Sequence, residues 1–150
     1  MAYDSTSAEK ALRLLPEEVL LEIISAAELA KVNFEKLKTI KNMLIDSINI
    51  SLLPLKNKRE VLEAQIKSTR ESIQVLPVET IALSPQLGRV NVDFEAALAG
   101  KIEGATNIIF EIDRLTSVRI GITAEIAQYN SSIEYLNNVI SSINKVLSTN

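Results

Sequence analysis

"PEEVLLEIISAAELAKVNFEKLKTIKNML", residues 16–44, decides the fold class. Leu20, Ile23, Ala27, Ala30, Phe34, Leu37, Lys41, Leu44 and, just beyond, Ile48 follow one another in steps of three and four. Side chains at that spacing share one stripe of an α-helix, and the stripe is the heptad pattern by which helices pair. Pro16 ahead of Glu17 and Glu18 marks the start, because proline loses no hydrogen bond there and acids complement the positive end of the helix dipole. Upstream, Thr6 to Glu9 reads as a capping box and predicts a short leading helix over 6–15.

Downstream the stripe steps by one residue and resumes as Leu52, Leu55, Arg59, Leu62, Ile66, Thr69, Ile73 and Leu76, with Pro54 at the step. The reading is one helical arm, 16–76, kinked at Pro54. From 77 to 93 the pattern stops: Pro77, Ser84-Pro85 and Gly88 break it, Val90, Val92 and Phe94 alternate as a short extended piece would, and Asn91 or Asp93 is placed to cap the next helix. That helix is long, over 94–147. Leu98, Ile102, Ala105, Ile109 and Ile112 begin its stripe, and Ile122, Ile126, Tyr129, Ile133, Leu136, Ile140, Ile143 and Leu147 continue it after a three-residue phase slip. If Leu76 lies opposite Glu95, Leu62 comes level with Ile109 and Pro54 with Ser117. The expected fold is all-α: an elongated antiparallel helical hairpin or coiled-coil bundle forming a single domain, 1–150.

Composition removes most chemistry. The chain of 150 residues has no Cys and no His, so thiol chemistry, disulfides, the soft metal ligands and the usual base near neutral pH are all missing. The carboxylates of Glu17, Glu18 and Glu22, or of Glu103, Glu111 and Asp113, stand at helical spacings without the histidine that a dimetal site would add. No phosphate loop or dinucleotide fingerprint occurs. The expectation is a non-enzymatic protein with no catalytic, metal-binding or cofactor-binding residues and no small-molecule ligand. The N-terminus lacks a signal-peptide pattern and no window is apolar enough for a membrane span, which predicts a cytoplasmic protein or one held within a virion or other large assembly. Residues 31–70 carry nine basic and four acidic side chains, flanked by acidic segments on either side. The overall charge of −3 and the presence of only one aromatic residue, Phe34, among these bases argue against a nucleic-acid partner.

Residues 120–150 are the oddity, with only Glu125, Glu134 and Lys145 charged. Ile122, Ile126, Tyr129, Ile133, Leu136, Ile140, Ile143 and Leu147 form the stripe there, and Val139 and Val146 widen it beyond what one partner helix covers. These ten residues are the predicted protein–protein interface. Ala96, Gly100 and Gly104, four residues apart, are the predicted site of close helix packing. The expected function is a structural subunit packing laterally in a multisubunit complex, with itself or with other subunits. Its composition suits a virion component such as a tailed-phage baseplate, neck or tail protein. The alternative is an adaptor or chaperone-like module that binds an amphipathic client helix.

Overall fold

Asp4 opens the first helix. Its carboxylate accepts hydrogen bonds from the Thr6 and Ser7 amides at 3.1 and 3.2 Å and from the Ser7 hydroxyl at 2.8 Å, which satisfies N–H groups that a helix start leaves without partners. The Ser7 hydroxyl, followed by the Ser7 and Thr6 amides, holds the Asp4 carboxyl below its ordinary pKa. The structure, a computed structural model, describes residues 2–74 and 85–149, except for the side chains of 73, 74 and 85–91. Among the described residues there are three helices, α1 (Ser5–Leu12), α2 (Glu17–Gln74) and α3 (Pro85–Ser148), and no strand. The fold is all-α.

Three boundaries move. The cap of α1 is Asp4, ahead of the box at Thr6 to Glu9, and the helix ends at Leu12 rather than 15. Arg13 to Leu15 turn through bonds from the Leu14 amide to Ala11 and from the Leu15 amide to Leu12, and the Pro16 carbonyl then accepts the first bonds of α2, from Val19 and Leu20. The last helix begins at Pro85, so Gly88, Asn91, Asp93 and the Val90, Val92 and Phe94 alternation lie inside it. Proline suits the first helical position, and a single internal glycine costs only about 1 kcal/mol, so neither ends a long helix. The rest of the expected connector, 77–84, lies outside the described residues, as does Leu76. Pro54 does not break α2, which runs through it.

The chain divides into two compact units: Met1–Asp46 with Ile120–Asn150, and Ser47–Arg119. In the first, α2 and α3 run antiparallel, with Phe34 against Tyr129 (ring centroids 5.9 Å apart) and Lys41 bound to Glu125 at 2.7 Å. α1 is packed on them: Leu12 joins a cluster around Leu20, Ile143 and Val146, which are fully buried. In the second unit α2 and α3 again run antiparallel. Thr69 meets Lys101 at 3.3 Å, Asn49 meets Arg119 at 2.8 Å, and Leu62 lies near Gly104 and Ile108. The expected approach of Leu62 to the level of Ile109 holds to within about a turn.

Burial corrects the phase slips. Between Phe34 and Thr69 the α2 residues that are not exposed are Phe34, Lys38, Lys41, Ile45, Ile48, Leu52, Leu55, Arg59, Leu62, Ile66 and Thr69, in strict alternation of four and three. In α3 the same alternation runs without interruption from Leu98 through Lys101, Ala105, Ile108, Ile112, Leu115, Arg119 and Ile122 to Leu147. Neither stripe slips. Leu37, Leu44, Ile102 and Ile109, which the sequence pattern places in the seam, are exposed, and their neighbours Lys38, Ile45, Lys101 and Ile108 take the place. The pattern misleads because a lysine can lay its aliphatic stem along a seam and keep its ammonium outside. Lys31, Lys38 and Lys41 do so, each ending on a glutamate: Glu28 at 3.7 Å, Glu35 at 3.6 Å and Glu125 at 2.7 Å. The Glu125 bond raises the pKa of Lys41 above its ordinary value.

Candidate interaction surface

The ten residues predicted to face a partner are largely used within the chain. Ile143 and Val146 have no exposed surface and Ile122 is buried; Ile126, Tyr129, Ile133, Leu136, Val139, Ile140 and Leu147 are half-buried. The widened end of α3 is covered by α1 together with the residues ahead of it. The Tyr3 hydroxyl donates to Ser142, itself buried, at 2.8 Å; the Tyr3 ring meets Tyr135 edge-on at 5.6 Å; and Lys145 reaches Glu9 at 3.2 Å. At Ser142 the lack of charge has its physical cause here, whereas Asn130, Ser131, Asn137, Ser141 and Asn144 are exposed. One side of α3 is roofed by the chain's own first helix, where serine can be satisfied by a hydroxyl and an ion would be stranded.

The small residues do less than their spacing implies. A methyl group built on Gly104 would sit 3.7 Å from the Leu62 side chain, an ordinary contact, and one built on Gly100 would meet nothing. Ala96 is exposed. Only Gly104 faces the opposing helix, and it meets a side chain there.

Sequence reasoning missed a second stripe. With the seam occupying the first and fourth heptad positions, the sixth points most directly away from it and is normally charged. On α2 that outermost position holds Glu22, Leu29, Lys36 and Met43 in the first unit and Ile50, Asn57, Ala64 and Glu71 in the second, with Leu29, Met43 and Ile50 exposed by 64, 63 and 73%. Leu21, Val32 and Ile40 flank it in the first unit, and Leu53 and Val61 in the second, all exposed. The signal was present in the sequence: the same heptad period, in the opposite phase. α3 differs, for its outermost positions hold Glu103, Phe110, Ser117, Ala124, Ser131, Asn138 and Lys145.

In the first unit the outward side of α2 is also shaped. Glu28, Lys31, Val32, Glu35, Lys36 and Thr39 ring an open hollow of about 490 Å³. Val32, Glu35, Lys36 and Thr39 stand at i, i+3, i+4 and i+7, the four-residue socket that receives a knob from a packed helix. A separate hollow of about 390 Å³ lies between α2 and α3 of this unit, lined by Ala30, Phe34, Ser131, Ser132, Tyr135 and Leu136. Among the described residues no group of three or more carboxylates is gathered as metal ligands would be, and no helix is long and apolar enough to cross a membrane. No family model, curated protein or solved structure matches this chain.

Proposed function

We propose that this protein is a structural subunit that packs side by side with copies of itself or with other chains through the outward face of α2. The observation that carries the reading is the set of large apolar side chains exposed on the outward face of α2 in the first unit, Leu21, Leu29, Val32, Ile40 and Met43, gathered around Lys36 where a helix facing water would hold more charge. The widened end of α3 is no longer needed to support it, because α1 covers that end. Composition alone favours a virion component as the host, such as a tailed-phage baseplate, neck or tail protein. A second reading has its own support: the hollow beside Phe34 and Tyr135 is of a size to accept one large side chain of an amphipathic client helix, as an adaptor or chaperone would.

Light scattering on the chain alone across a dilution series tests the proposal. The expected result is a discrete mass of two or more chains that persists on dilution. A monomer at every concentration overturns packing with copies of itself and leaves only packing with other chains, and a monomer that binds an amphipathic helical peptide establishes the adaptor in its place.

A further inference from the structure

Of the three charged residues between 120 and 150, two have partners: Glu125 holds Lys41, and Lys145 reaches Glu9. Glu134 takes part in no ion pair among the described residues. It borders a hollow of about 230 Å³ whose other walls are Ala2, Tyr3, Ser131, Tyr135 and Asn138. The walls are held in place. The Tyr3 hydroxyl is fixed on the buried Ser142 at 2.8 Å, and its ring meets that of Tyr135 at an angle of 85°. Two tyrosine rings at right angles beside an unpaired carboxylate suit an organic ammonium ion, because ring quadrupoles and carboxylate attract the same charge and the methyl or methylene groups on its nitrogen pack on aromatic surface. A hard metal ion is not served, since one carboxylate cannot replace a shell of six or more oxygen ligands.

Ser131 and Tyr135 also line the larger hollow beside Ala30, Phe34 and Leu136, so an apolar pocket and a tyrosine–carboxylate pocket share a wall. We infer that these adjoining hollows bind an organic ammonium ion joined to an apolar group, the ammonium at Glu134 between the two tyrosines and the apolar group beside Phe34. None of these residues belongs to the outward face of α2, so the site stands or falls apart from the lateral packing proposed above. Two sources carry the chemistry. One is a free amphipathic amine; the other is a lysine one turn from a large apolar residue on a client helix, and that source rests on the adaptor reading.

Titration of the full chain with benzyltrimethylammonium chloride at constant ionic strength, followed by the amide resonances of residues 131–138, tests the site. Benzyl alcohol has the same apolar part without the charge and is expected to bind about tenfold more weakly. Glu134→Gln, on an exposed residue whose loss leaves the helix intact, should remove most of that preference, and Tyr135→Leu should weaken both probes with helical content unchanged by circular dichroism. Glu103→Gln, an exposed carboxylate of α3 in the other unit, should change nothing. Equal binding of cation and alcohol, or a preference that survives Glu134→Gln, would overturn the inference and leave Glu134 as a solvated charge. A capped helical peptide with leucine and lysine one turn apart, set against its counterpart with glutamine for lysine, separates the sources. A lysine preference that Glu134→Gln abolishes, without binding of the free cation, assigns the ammonium to a partner chain, and binding of the free cation alone assigns it to a small amine. If neither binds, the site falls and the packing of α2 is untouched.

Discussion

The unit that contains α1 and the unit that does not are built from the same two helices and the same heptad seam, yet they surround their buried side chains differently. Where α1 is present, Leu20, Ile143 and Val146 reach 1, 0 and 0% exposure and are surrounded by Leu12, Ile23, Ile24, Val139 and Leu147. Where it is absent, the core is a single file of Ile48, Leu52, Ala105 and Ile112, exposed by 9, 2, 6 and 6%, while the seam carries charged stems in both units, Lys31, Lys38 and Lys41 in the one and Arg59 and Lys101 in the other. The Nε of Arg59 is buried 3.8 Å from Glu63 with no acceptor within hydrogen-bonding reach. Two helices can shield only the row between them; closing the sides takes a third element, even one of eight residues.

The largest test of that difference uses the same residue type on both sides of it. Leu20→Ala is expected to cost about 4 kcal/mol and Leu52→Ala about 2 to 3 kcal/mol, within the range for buried leucines, because the roofed site cannot collapse onto the missing atoms whereas the open seam can. Urea unfolding followed by circular dichroism measures both, and equal costs would erase the contrast. Tyr3→Phe is a smaller probe. It removes the one donor to the buried Ser142 hydroxyl and should destabilise the first unit by about 1 kcal/mol, while the exchange protection of amides near Thr69 stays unchanged; a loss spread evenly over both units would count against treating them as separate.

The smallest effects are in pH. Asp4 has a depressed pKa in the folded chain, so its contribution to α1 is complete above the ordinary value of 3.8 and is lost as pH falls through the lowered one. Lys41 has a raised pKa, so its contribution is complete below the ordinary 10.5 and is lost as pH rises through the higher value. Both belong to the unit with α1. Lys41→Met should abolish the alkaline loss, and an alkaline loss unchanged in that variant would assign it elsewhere.

Much of the fold is legible in the sequence. The helical class, the long helices and the existence of a leading helix follow from periodicity and from punctuation at Pro16. The choice of seam residues does not, because taking the more apolar of two neighbours selects Leu37 over Lys38 and Ile102 over Lys101, and the folded chain chooses by angle. The destination of α1 was also hidden. Eight residues are too few to hold a helix by propensity, so its place is set by contacts with residues far along the chain, which no local pattern records. The outward stripe of α2 could have been seen in sequence by searching for a second phase after the first had been found.

The bond from Tyr3 to Ser142 joins positions 139 residues apart, and this gives the protein an uneven folding history. Helices form from neighbouring residues in about a microsecond, whereas closing a loop of that length carries an entropic cost that must be met before the contacts of α1 and Tyr3 with α3 reward it. The docking of α1 is therefore expected to follow the transition state rather than to build it. Substitutions at Tyr3, Asp4 or Leu12 will then register mainly as faster unfolding, with the rate of folding nearly unchanged, which makes this short helix the part of the molecule that governs how long the native state lasts once it has formed.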